Sequence, residues 1–116
     1  ELLSEHQLIA NAVVVGDGKP YCAAILVPDR ATVQPWAAAA GITLPNDLAE
    51  CQELKQVFEA HLTRVNEELS KFETIKRFRV LDTDFTVDNG MLTPTFKVKR
   101  NAVIRQYTSL VEELFL

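Results

Sequence analysis

A small α+β domain is the fold these residues predict: a short sheet with an N-terminal β-hairpin, helices packed on it, and an amphipathic C-terminal helix. Three observations predict it. Two apolar runs flank Gly16-Asp17-Gly18 as the arms of a hairpin flank its turn. Apolar residues in the middle and at the end of the chain recur at helical spacing. The 116 residues, 47% hydrophobic and 24% charged, suit one modest core.

The opening "ELLSEHQLI" reads as an amphipathic helical turn. It lacks an initiator methionine, as a piece of a longer polypeptide would. In "LIANAVVVGDGKPYCAAILVPD", Val13, Val14 and Val15 are β-branched and favour a strand. The two glycines can take positive φ and turn the chain. Residues 21–27 return as a second strand, dense enough in apolar side chains to be central, and Pro28-Asp29 ends it. "RATVQPWAAAAG" predicts a short helix with Asp29 as N-cap and Gly41 as its stop; Pro35 suits only an early position in it. A second helix is expected within 44–72, started by Asn46 or Asp47. Leu54, Val57, Phe58, Leu62, Val65 and Leu69 would share one face. "IKRFRVLDTDF" predicts a strand in which Phe78, Val80 and Asp82 alternate with Arg77, Arg79 and Leu81. Asn89-Gly90 signals a tight turn. "KRNAVIRQYTSLVEELFL" predicts one closing helix with Val103, Ile104, Tyr107, Leu110, Val111 and Leu114 on a single stripe.

Composition and spacing exclude several functions. A net charge of −4 is the wrong sign for a general nucleic-acid binder. No apolar run has the length of a membrane span and no signal-peptide pattern opens the chain. Cys22 and Cys51 have neither redox-pair nor zinc spacing; both read as reduced thiols of a cytoplasmic protein, Cys22 in the core. His6 and His61, far apart in sequence, read as surface residues rather than metal ligands, and no metal site is expected. Asp82, Asp84 and Asp88 lack the Gly and Glu of a calcium loop. Glu112 and Glu113 read as solvated, Trp36 as packing, and "VGDGKP" as a turn rather than a phosphate loop.

The run "LTPTFKVKR" places Lys97, Lys99 and Arg100 at the start of the last helix, where the dipole favours anions over cations. The first-turn N–H groups lack intrahelical acceptors. With these cations they could hold a phosphate, a carboxylate or a nucleotide. A solvated charge cluster is the other reading of the same residues.

Three stretches together resemble the C-terminal domain of AMP-forming acyl-CoA synthetases, most closely the long-chain fatty acid–CoA ligase branch. They are "LIANAVVVGDGKPYCAAILVPD", "VNEELSKFETIKRFRVL" and "FTVDNGMLTPTFKVKRNAVIRQYTSLVEELF", and they cover nearly the whole chain. The resemblance implies that residues 1–116 form a mobile lid domain whose large N-terminal partner, with its phosphate loop and its adenine and acyl pockets, lies outside them. Members carry a lysine in a PxTxxGKxxR-like run. Here it falls at Lys97, with Arg100 as the arginine of the pattern, and Thr95-Phe96 stand where many members have Ser-Gly, as is usual in the long-chain branch. The implied site is catalytic Lys97 with Thr95, Lys99 and Arg100 in the phosphate or substrate neighbourhood. The implied substrates are a fatty acid, ATP and CoA, with Mg, in the full-length enzyme. The isolated chain would be inactive and bind none of them alone. A cytoplasmic protein, at most peripheral to a membrane, is expected. The competing reading is a freestanding module that binds an acidic partner through its basic corner.

Overall fold

The computed structural model describes residues 2–70 and 73–116. Expectations touching Glu1, Lys71 and Phe72 lie outside the described residues. After a short 3₁₀ turn, Leu2–Ser4, come strands β1 (Ile9–Val15) and β2 (Cys22–Pro28) and helix α1 (Arg30–Ala40). A second 3₁₀ turn (Leu48–Glu50) precedes α2 (Gln52–Glu68), β3 (Ile75–Val80), α3 (Arg100–Gln106) and α4 (Thr108–Glu113).

The hairpin is as expected: β1 and β2 pair antiparallel from Ile9↔Pro28 to Val15↔Ala23. A side chain on Gly16 would meet the Tyr21 carbonyl at 2.8 Å, and φ there is 145°, so the turn requires glycine. β2 is central, in the order β1-β2-β3, and β3 joins it in parallel after the crossover through α1 and α2. Alternation along the strands then feeds two cores. Ala24 and Leu26, with Ala12 and Val14, face Val33 of α1 and Leu54, Phe58, Leu62 and Val65 of α2. Ala23, Ile25 and Val27, with Val13 and Val15, face Leu81, Phe85, Met91, Leu92, Val103 and Leu114. A strand covered on both faces needs apolar residues at every position, which is why β2 reads as an unbroken apolar run.

Local signals hold where local chemistry decides. Asp29 caps α1 through the Ala31 N–H, and Gly41, left-handed at φ 71°, ends it by donating to Ala37 and Ala38. Pro35 lies deeper in α1 than expected. Lacking an N–H, it leaves the carbonyl of Ala31 without the usual intrahelical bond, on a residue at the exposed start of the helix. Asp47 caps the 3₁₀ turn rather than α2, which begins at Gln52 with Cys51 as N-cap residue and no side-chain cap. Asn89 organises the turn at Gly90: its Oδ1 accepts from Thr86 and Met91, and its Nδ2 donates to the Asp84 carbonyl.

Other expectations are corrected by long-range packing. β3 ends at Val80; Asp82 lies beyond it, accepts the Leu48 N–H at 2.9 Å and pairs with Arg30. A register shift opposite Cys22 and Ala23 brings Ile75 into the same core as Phe78 and Val80 despite its odd spacing. The closing helix is broken at Tyr107 (φ −113°, ψ 37°). There the Thr108 hydroxyl donates back to the carbonyls of Ile104 and Arg105. Cys51, not Cys22, is the buried cysteine; Cys22 is half-buried at the start of β2, and both thiols are free. Glu113, expected to be solvated, faces Arg79 at 3.7 Å with both side chains about half exposed, where an ion pair contributes little.

The histidines depart most from expectation. His61 is buried and its ring lies 4.8 Å from that of His6, because α2 packs on the first residues of the chain. His61 Nε2 is 2.9 Å from the Leu3 carbonyl, which can only accept, so Nε2 carries the proton and Nδ1 faces Arg64. His6 Nδ1 accepts the Leu8 N–H at 3.1 Å. Burial, then His61, then Arg64 lower the His6 pKa from 6.5. An imidazole lowered on folding leaves the unfolded chain to take up protons first. The stability of the neutral ring is therefore present above the unfolded pKa and is lost as pH falls through the folded one. An NMR titration should place the His6 midpoint below 6.5; a midpoint at or above it would contradict this packing.

Candidate functional site

The run 91–100 is a hairpin mounted on the second core. Met91 and Leu92 are buried and hold its base, and Leu92 bridges Val98 across it. Thr93 N–H donates to the Lys97 carbonyl at 2.7 Å, and Phe96 N–H to the Thr93 carbonyl at 2.7 Å. The Lys97 N–H returns to the Thr93 hydroxyl at 3.1 Å, and Lys99 N–H reaches the Met91 carbonyl at 2.8 Å. Proline presets φ at the turn's second position, Pro94. Phe96 then takes φ 65°, the left-handed geometry that closes three-residue hairpin loops and that glycine usually supplies. A bulky residue there carries roughly 1–2 kcal/mol of strain.

Strand-like alternation sorts the cations. Val98 turns in to the second core, so Lys97 and Lys99 on either side of it are exposed. Lys99 is also the N-cap residue of α3, with no side-chain cap. Arg100 goes elsewhere: its Nε donates to the Val14 carbonyl at 2.9 Å, and its two terminal nitrogens lie 3.3 and 3.4 Å from the Asp17 carboxylate. It ties the start of α3 to the rim of β1 and to the first hairpin turn. Thr95 lies at the tip with its hydroxyl 3.1 Å from that of Thr93.

The four residues singled out in the sequence thus share one corner but differ in freedom. Lys97 extends from the braced hairpin, Lys99 and Thr95 are exposed beside it, and Arg100 is half-held by protein acceptors. Sequence reasoning missed Arg105, which with Lys99 and Arg100 lines an open depression over the first turns of α3. Its signal was present: Asn101 and Arg105 are four apart on one helix face. Sequence reasoning also missed the positive φ of Phe96, for which the clue was that Phe96 stands where many members of the resembled family have glycine. The corner offers mobile positive charge and hydrogen-bond donors, which suit an anion brought to it. Among the described residues no group of three or more His, Cys, Asp or Glu side chains could hold a metal ion, and no helix is long and apolar enough to cross a membrane.

A model of the family described as AMP-binding enzyme C-terminal domain matches residues 1–116. The long-chain-fatty-acid–CoA ligase FadD15 of Mycobacterium tuberculosis is 38% identical over 117 residues, covering 97% of this chain and 19% of its own length. Human long-chain-fatty-acid–CoA ligase 6 is 34% identical over 113 residues, covering 94% of this chain and 16% of its own length. The A-PCP didomain of carboxylic acid reductase from Segniliparus rugosus, solved in complex with AMP, superposes with a TM-score of 0.72 at 20% identity. That match covers 97% of this chain and 14% of that one, and at such identity it speaks to fold. The chain spans about one fifth of the length of the first curated relatives it matches.

Proposed function

The chain belongs to the family of AMP-binding enzyme C-terminal domains, and on that premise we propose that it is the mobile C-terminal domain of an AMP-forming long-chain fatty acid–CoA ligase, with Lys97 as its catalytic residue. In the first half-reaction a carboxylate oxygen attacks the α-phosphorus of ATP, the bond to pyrophosphate breaks, and acyl-adenylate forms. In the second, the CoA thiol gives up its proton and attacks the acyl carbon, and AMP leaves. Both approaching partners in the first step are anionic. An ammonium placed where charge builds lowers that repulsion most in the transition state. A lysine on a four-carbon stem can reach from one domain into a site on another, and a compact point charge suits an oxygen whose position shifts during reaction. The domain would then turn to present another face for the thiol step.

The observation that carries this reading is the exposed Lys97 on a hairpin whose backbone is braced at both arms. Thr95 and Lys99 would accompany it near the phosphates. Arg100, with its protein acceptors, would serve mainly to hold the hairpin's exit against β1. The described residues offer no carboxylate set for a divalent cation, so Mg–ATP would be bound by the large domain, and this chain would supply positive charge. A match along the entire chain to a domain of ligases supports this reading over a freestanding binding module.

The test compares the full-length enzyme with a form truncated before residue 1, and with the 116-residue chain alone. The truncated form should still bind ATP but lose pyrophosphate–ATP exchange and thioester formation; the chain alone should release neither AMP nor pyrophosphate. Undiminished exchange by the truncated enzyme would refute the proposal.

A further inference from the structure

Phe96 occupies a position for which neither the backbone nor the chain's own packing selects a phenylalanine. Its φ of 65° lies where glycine sits without strain. The residue is 72% exposed and belongs to neither core. An aromatic side chain held in strain and in water makes sense when its contact lies on another surface. It is also joined directly to Lys97, and the two share the bonds that close the hairpin: Phe96 N–H to the Thr93 carbonyl, and Lys97 N–H to the Thr93 hydroxyl. Seating Phe96 therefore fixes the backbone from which the Lys97 side chain extends.

We infer that Phe96 is a positioning residue: it seats in an apolar recess of the large domain during adenylate formation and so registers the Lys97 ammonium on the reacting phosphate. The inference rests on the role proposed above for Lys97. The large domain is the chosen host because the chain spans only 14–19% of the relatives and structure described, leaving most of their length as the neighbouring surface. A rigid aromatic anchor beside a charged group is the usual form of a residue that contributes binding and orientation together. The rival host is a lipid surface, which also takes aromatic residues flanked by cations. A net charge of −4 opposes docking on anionic lipid.

The experiment uses the full-length enzyme with Phe96→Gly, Phe96→Tyr and Lys97→Ala, each assayed for the two half-reactions separately. Phe96→Gly keeps the turn and removes the anchor. It should lower kcat for adenylate formation roughly tenfold or more, leave KM for ATP unchanged, and leave thioester formation from supplied acyl-adenylate intact. Phe96→Tyr should restore most of the rate. Melting temperatures should stay near wild type, so that the loss is not one of folding. If Lys97→Ala impairs adenylation and Phe96→Gly does not, this inference fails while the role of Lys97 stands. If neither impairs it, both fail. Equal loss of both half-reactions in Phe96→Gly would overturn the inference. So would intact adenylation with weakened cosedimentation on phosphatidylcholine–phosphatidylglycerol vesicles, which would assign Phe96 to lipid.

Discussion

Lys97→Ala in the full-length enzyme should lower acyl-adenylate formation by about 10²–10³-fold, the loss seen when one preorganised group is removed from a developing charge. The size follows from where the charge acts. In water a screened ammonium contributes little, but in a site closed over ATP and a carboxylate the same charge works at low effective dielectric. Lys99→Ala is the internal control. Its side chain is exposed at the hairpin's exit, where α3 starts, as a neighbour of the phosphates and not the group aimed at the reacting one, so its partly screened field should matter far less to adenylation than the Lys97 charge. Neither lysine contributes to either core, and both variants should unfold near the wild-type temperature. A large loss in Lys99→Ala with normal adenylation in Lys97→Ala would shift the catalytic register by two residues.

Phe58→Ala should destabilise the chain by about 3–5 kcal/mol. The ring is fully buried in the first core, among Leu54, Leu62 and Val33, and stands nearly perpendicular to the His6 ring with centroids 6.2 Å apart. Small domains have about 5–15 kcal/mol in total, so this one truncation removes a large part of the stability. The loss is not confined to α2, because α2 also holds the N-terminal turn through His61 and Leu3. Chemical denaturation should show a lower midpoint with an unchanged slope. A shift below about 1 kcal/mol, the size of an ordinary surface change, would contradict the packing described.

What was legible in the sequence was local or periodic. Gly16 and the valines before it announce the first hairpin; Asp29 and Gly41 bound α1; Leu54, Phe58, Leu62 and Val65 mark the buried face of α2. What was not legible depended on partners distant in sequence. Parallel pairing of β3 with β2, and the bulge that turns Ile75 inward, follow from the crossover and not from the alternation within 75–80. His6 and His61 meet only because the first turn of the chain packs on α2. The closing helix breaks at Tyr107 although its apolar spacing runs on unbroken, because a threonine hydroxyl competes for the carbonyls of the preceding turn. At the candidate site the cations were readable and their division was not. Arg100 is bound to Val14 and Asp17, more than 80 residues earlier in the chain, and no feature of "LTPTFKVKR" separates it from Lys97. The positive φ of Phe96 was masked by the residue type, since phenylalanine rarely adopts it, and only the glycine of the resembled pattern pointed to it.

The central claim is that this domain brings Lys97 to the first half-reaction and presents a different face for the second. The most direct test is a single-turnover comparison in full-length Lys97→Ala. Adenylate formation is timed from ATP and fatty acid, and thioester formation from supplied acyl-adenylate and CoA. The expected result is a loss of about 10²-fold or more in the first rate and an essentially wild-type second rate. Equal loss in both, with folding intact, would contradict the claim.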